Sequence, residues 1–196
     1  LNADTSISFD EFSAIKHDNA YSPRYRGYAY LSSVAELAPD GPEEAQALSL
    51  IRNWDLHTDT ANRSAALGVC ILLEEWQAER TGNALPDARE TLHTCMDSVR
   101  DVAGQLDPEW GTVQQHGRGQ RTWPAAGGPD TLRAMYAEQL EDEDDFLTVV
   151  AGDGLYYLIE WNAEGEQTIR GTHQYGSQMT DESSPHYLDQ AEPFSQ

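Results

Sequence analysis

The chain predicts an α+β fold, a helical first two thirds followed by an antiparallel three-stranded meander. Three observations carry this. Up to about residue 106 apolar residues recur at i, i+3 and i+4, as in Ala66, Val69, Cys70, Leu73 and Trp76. Over Phe146–Tyr175 β-branched and aromatic runs replace them, separated by the turn sequences Gly152-Asp153-Gly154 and Ala163-Glu164-Gly165. Between the two lies Trp110–Gly128, rich in Gly, Gln and Arg and without a sustained period. The expected organisation is a helical region over 1–106, a loop and short helix over 107–145, and antiparallel strands with a C-terminal loop over 146–196.

Each element has a local cause. Ser8 and Glu11 stand at capping-box spacing and start a short helix through Ile15 and Lys16. An aromatic, turn-prone passage follows from Tyr21 to Tyr30, with a helical stretch over Ser32–Leu37. Pro39-Asp40-Gly41-Pro42 breaks the chain and opens a helix to about Trp54, with Glu43 and Glu44 at its positive dipole end. Asn62 caps the next helix, the one bearing the Ala66–Trp76 stripe. Asp87 and Glu90 open another, with Leu92, Cys95, Met96, Val99 and Val102 along one face. The short Thr81–Pro86 turn makes these two helices antiparallel neighbours.

Beyond the long loop, Asp130 caps a short helix through Leu132, Met135 and Tyr136. Strands are expected at Phe146–Ala151, Leu155–Asn162 and Thr168–Tyr175. The middle one places Leu155, Tyr157, Ile159 and Trp161 on one face, and Tyr156, Leu158 and Glu160 on the other. Apolar side chains on both faces predict a sheet covered twice.

Composition narrows the function classes. Asp and Glu outnumber Lys and Arg 34 to 12 over 196 residues, for a formal charge of −22. Such a field repels phosphate backbones and anionic lipid surfaces, so neither nucleic acid nor membrane is expected as a partner. No apolar run approaches the ~20 residues of a membrane span, and Leu1–Asp10 has no signal-peptide pattern. The two cysteines, Cys70 and Cys95, read first as small buried helix thiols, with a disulfide between them left open.

Motifs for chemistry are sparse. His17, His57, His93, His116, His173 and His186 fall in no metal-ligand spacing, and no metal or cofactor site is expected. His173, His186 and Asp189 could converge on an acid/base constellation, although pinning a surface loop is the commoner role for such groups. There is no G-x-S-x-G elbow, and Gly117-Arg118-Gly119 lacks the third glycine of a dinucleotide loop. Glu74/Glu75 and Asp142/Asp144 are acid pairs of the kind glycosidases use, but in so acidic a chain they arise by composition. Glu141–Asp145 could collect Ca²⁺, yet its spacing fits no calcium loop and a solvated linker is preferred.

Four segments, taken in order, are more specific: Asn53-Trp54-Asp55; Trp110-Gly111-Thr112-Val113; Trp123-Pro124-Ala125-Ala126-Gly127-Gly128-Pro129-Asp130-Thr131-Leu132; and Gly176-Ser177 with Ser184-Pro185-His186-Tyr187-Leu188-Asp189-Gln190. Together they resemble the large (β) subunit of the penicillin acylase and acyl-homoserine lactone acylase family of N-terminal nucleophile (Ntn) hydrolases. That family carries W-D-G, W-G-x-V, P-v-G-G-x-x-x-T-L and S-P-H-Y-x-D-Q. Two departures stand out: Leu56 occupies the place of the usual Gly, and Ser177–Thr180 replaces Gln-Ser-Gly.

The resemblance implies part of an αββα Ntn-hydrolase fold and an amidohydrolase acting on acyl amides: penicillins, N-acyl-homoserine lactones or lipopeptide side chains. It implies a periplasmic or extracellular heterodimer whose Ser nucleophile is the first residue of the large subunit. No catalytic residue carries over to any position here, since Leu1 has no nucleophile. The chain would be a C-terminal fragment, partnered by the small subunit and the rest of the large one, with a structural calcium ion in the full enzyme left open. The competing expectation is an acidic exported binding module for cations or a basic protein partner.

Overall fold

The computed structural model describes residues 6–140 and 145–195. In chain order its elements are α1 (Phe9–Lys16), α2 (Tyr28–Ala35), α3 (Pro42–Asn53), α4 (Ala65–Thr81), α5 (Ala88–Ala103), α6 (Trp110–Val113), β1 (Gln114–Arg118), β2 (Arg121–Pro124), β3 (Met135–Glu138), β4 (Leu147–Gly152), β5 (Leu155–Trp161), β6 (Gln167–His173) and α7 (Ala191–Ser195).

Local capping chemistry accounts for the helices. Ser8 and Glu11 form the full reciprocal box at the start of α1. Asn62 Oδ1 accepts from the amides of Ser64 and Ala65 at 2.9 and 3.0 Å, satisfying donors at the head of α4. Asp87 does the same for Arg89 and Glu90 at α5. Gly82 and Gly104 end α4 and α5 in the left-handed conformation. The second helix starts earlier than expected, at Tyr28, and so buries Tyr30, Leu31 and Val34.

Helices α2 to α5 enclose the main core, with Leu48, Leu67, Ile71 and Leu92 fully buried. Cys70 and Cys95 are bonded to each other across α4 and α5, with Cα atoms 5.7 Å apart, so the free-thiol expectation is corrected. Antiparallel packing brings the two stripes face to face, and the register places one cysteine opposite the other.

The strands differ more from expectation. Residues 107–145 hold not a loop and short helix but the single turn α6 and three strands, among the described residues. Asp130 caps nothing: its φ is +60°, and Met135–Glu138 run extended. The three-stranded meander is also replaced. One sheet has the order β2-β1-β4-β3, in which β1 and β4 run parallel, and β5 pairs only with β6. Strand β4 turns away from β5 because β1 and β3 already occupy both its edges. A second, smaller core of Ala125, Met135, Val149 and Phe194 joins the four-stranded sheet to α7.

The β5–β6 hairpin is covered on one face only. Leu158 is buried on the inner face, whereas Leu155, Tyr157, Ile159, Trp161 and Ile169 are 41–62% exposed on the other. This corrects the expectation of a doubly covered sheet for the described residues.

Candidate functional site

The residues singled out for chemistry remain largely apart. His186 Nδ1 lies 2.9 Å from Asp189 Oδ2 on the exposed tail. His173 sits at the end of β6 opposite Leu155 and makes no hydrogen bond to that pair. His17 contacts the Tyr156 hydroxyl at 2.7 Å, and His93 contacts Glu44 at 2.6 Å. Glu74 and Glu75 are neighbours on α4, but only Glu75 is buried. Asp142, Asp144 and most of the acidic run lie outside the described residues, and with them the calcium expectation. Among the described residues no group of three or more His, Cys, Asp or Glu could hold a metal ion.

What does converge is the set of tryptophans, glycines and loop residues in the ordered segments. Trp54 Nε1 donates to the His57 carbonyl at 2.8 Å, and its ring lies so close to Gly68 that any Cβ there would overlap it. Asp55 Oδ1 accepts from the His57 amide and from Asn62 Nδ2. Asn62 in turn offers its carbonyl to the Trp110 amide at 2.9 Å. Leu56, between these, has a φ of +69°, a conformation that favours glycine.

The second segment closes on the first. Trp110 Nε1 and Gln114 Nε2 both donate to the Gly127 carbonyl, at 2.9 and 3.0 Å. The Gly127 amide donates to Thr58. Gly111 admits no Cβ because Thr60 and Pro124 press on it at 2.7 and 2.8 Å, and Gly128 none because the Tyr21 hydroxyl would lie 2.7 Å away. Thr131 Oγ1 donates into the turn carbonyls of Gly128 and Arg133.

The tail segment is fastened likewise. Arg118, on β1, lies between Tyr175 and Tyr187, 5.0 and 4.2 Å from the ring centres, and donates to the Gln178 and Met179 carbonyls. Gly176 packs against the His186 backbone and Asp189, leaving no room for a side chain. The motif residues thus hold loops to one another.

Sequence reasoning missed two polar clusters, one partly exposed and one buried. In one, Asp130 accepts from the hydroxyls of Tyr25 and Tyr136 and from Arg26, at 3.3, 2.8 and 2.9 Å. Arg26 also pairs with Glu79 and lies 3.7 Å from Glu75. Burial raises the Glu75 carboxyl above its ordinary range, and Glu75 Oε2 and the Tyr21 hydroxyl have no hydrogen-bond partner. Burial, with Asp130 second, raises the Tyr25 hydroxyl as well. In the other cluster His116 and Arg133 lie buried against Phe194. Only folding juxtaposes these residues, and no sequence spacing announces them.

The tryptophan, glycine and tail motifs of this α+β body all tie loops together. The family model described as penicillin amidase matches residues 1–196. The chain belongs to the penicillin amidase family, whose members are acylase-type amidohydrolases.

Proposed function

We propose that this chain is the scaffold of a penicillin-acylase-like enzyme that hydrolyses acyl amides, with the attacking Ser at the N-terminus of a large subunit and outside residues 1–196. The single observation that carries this is the conversion of every family-type motif into architecture. Neither cysteine is a free thiol. Ser8 and Ser183, whose hydroxyls meet carboxylates, form a helix cap and a turn. Penicillins, N-acyl-homoserine lactones and lipopeptide side chains are the substrate classes this reading admits.

Two features support the assembly and location that go with it. The exposed face of β5 and β6 carries Leu, Tyr, Ile and Trp side chains of the kind that interfaces cover, which suits contact with the remainder of an acylase and an αββα sheet completed by it. The Cys70–Cys95 disulfide suits an oxidising compartment, the periplasm or the exterior.

A serine-directed sulfonyl fluoride tests the reading on the mature protein that carries this chain. The covalent label is expected outside residues 1–196, together with loss of acyl-amide hydrolysis. A label on a serine within 1–196, or hydrolysis by these residues alone, overturns it.

A further inference from the structure

His116 projects from β1 into the small core, where it is 1% exposed. Its ring meets the Phe194 ring edge-on, with centroids 5.4 Å apart. Gln174 Nε2 donates to Nδ1 at 2.9 Å, so in the neutral ring the proton sits on Nε2, which has no acceptor. Arg133 occupies the remaining side. Its guanidinium lies 4.6 Å from the centre of the Phe194 ring and donates to the Phe194 carbonyl, while its Nε is buried without a partner.

We infer that His116 and Arg133 make α7 a proton-released latch: Phe194 stays docked on the sheet while His116 is neutral and leaves it when His116 takes a second proton.

Three contacts oppose that second proton. Protonated Nδ1 would turn a donor toward Gln174 Nε2, the donor it now faces, and only a flip of that amide would relieve the clash. The Nε2 proton already lacks an acceptor, and the new charge would be buried. Arg133 would stand beside it as a like charge.

Among the described residues the elements around His116 offer no counter-ion. Strand β2 places Trp123 opposite it and brings only the exposed Arg121, and β4 carries no titratable residue. Strand β6 brings Arg170 and His173, and Glu192 of α7 is exposed. Near Arg133 are Tyr156, bonded to His17, and Asp153, already paired with Lys16. Burial, and then Arg133, bring the His116 ring down to about 4 from its ordinary 6.5.

Release falls on α7 because little else holds it. Among the described residues it packs chiefly on β2 and β6, and Phe194 is its one large buried side chain. Undocking α7 frees the imidazole face without opening the α2–α5 core, so it is the least costly way to admit the proton. A histidine held below its ordinary value stabilises the docked form fully above pH 6.5, and that stabilisation is lost as pH falls from 6.5 to about 4.

Amide hydrogen exchange on the full protein carrying this chain tests the latch, read at the Phe194 amide, which donates to the Gln190 carbonyl at 2.9 Å. Relative to pH 7.5, its protection factor is expected to fall about tenfold by pH 5.5 and roughly fifty- to a hundredfold by pH 4.5. Amides of α4 should keep theirs. In His116→Gln the fall should disappear. Should that variant fail to fold, the titration of the His116 ring resonances in the unaltered protein decides. A midpoint below 6.5 together with the fall in Phe194 protection sustains the latch, and a midpoint near 6.5 overturns it, as does a Phe194 protection factor that is flat with pH or falls equally in His116→Gln.

Discussion

Around α2–α5, Leu48, Leu67, Ile71, Leu92 and Cys95 are enclosed on every side and a disulfide crosses the packing. Between the sheet and α7, Ala125, Met135, Val149 and Phe194 form a core a few side chains wide, beside two strands with one bare face. The helical region therefore carries its own stability, whereas the stranded region relies on hydrogen-bonded loops and on surfaces it presents outward. A molecule divided in this way is enclosed on one flank and partly bare on the other.

Substitutions can break that contrast, the most severe in the helical flank. Trp54→Ala empties a buried site between α3 and α4 and removes the Nε1 bond to His57. It should cost about 3–5 kcal/mol in urea unfolding, as buried tryptophans do. A loss below about 1 kcal/mol would mean that the tryptophan is dispensable to the core. Replacing Cys70 and Cys95 together by Ala should cost about 3.5 kcal/mol, the value for opening a loop of 25 residues. Thermal denaturation with and without reductant measures it, and α4 and α5 amides should lose protection before those of β1.

A pH series sharpens the comparison next. His93 first, then the Asp40 amide and Arg89, hold the Glu44 carboxyl down at about 2. Its contribution is therefore complete above the ordinary carboxylate value of 4.5 and is lost as pH falls from there toward 2. Arg89→Ala should weaken the helical flank at pH 7 and flatten its acid slope below pH 4.5, which denaturation between pH 7 and 2.5 would reveal.

Leu56→Gly tests a smaller balance. Truncating a partly buried leucine ordinarily costs about 2 kcal/mol or more, but here relief of a left-handed backbone offsets much of it. The net change should stay below about 1 kcal/mol by urea unfolding. Ile159→Lys should leave unfolding within about 0.5 kcal/mol, since the side chain is 41% exposed. If the bare hairpin face meets the remainder of an acylase, the same change should weaken that association in gel filtration.

Helices α1, α4 and α5 were legible in the sequence because their causes are local. Ser8 with Glu11, Asn62, and Asp87 each satisfy amides two or three residues away, a distance that spacing reveals. Strands β1 and β3 were not legible. The inward positions of β1 are Gln114 and His116, which are polar, so the apolar alternation that announces a strand is missing. Their burial is justified only by partners far along the chain, the carbonyls of Ala125 and Gly127 and the amide of Gln174. The parallel pairing of β1 with β4 is equally nonlocal, which is why a meander was expected where β4 in fact sits between two earlier strands. In the tail, His186 and Asp189 met as an i, i+3 pair should, whereas His173 was kept away by its place in the β5–β6 ladder.

Phe194 completes a cavity whose other walls, Ala125, Met135 and Val149, come from residues translated much earlier. A nascent polypeptide emerging from the ribosome can therefore close its helical bundle at once, but its sheet must wait, unfinished, until synthesis has reached the aromatic plug.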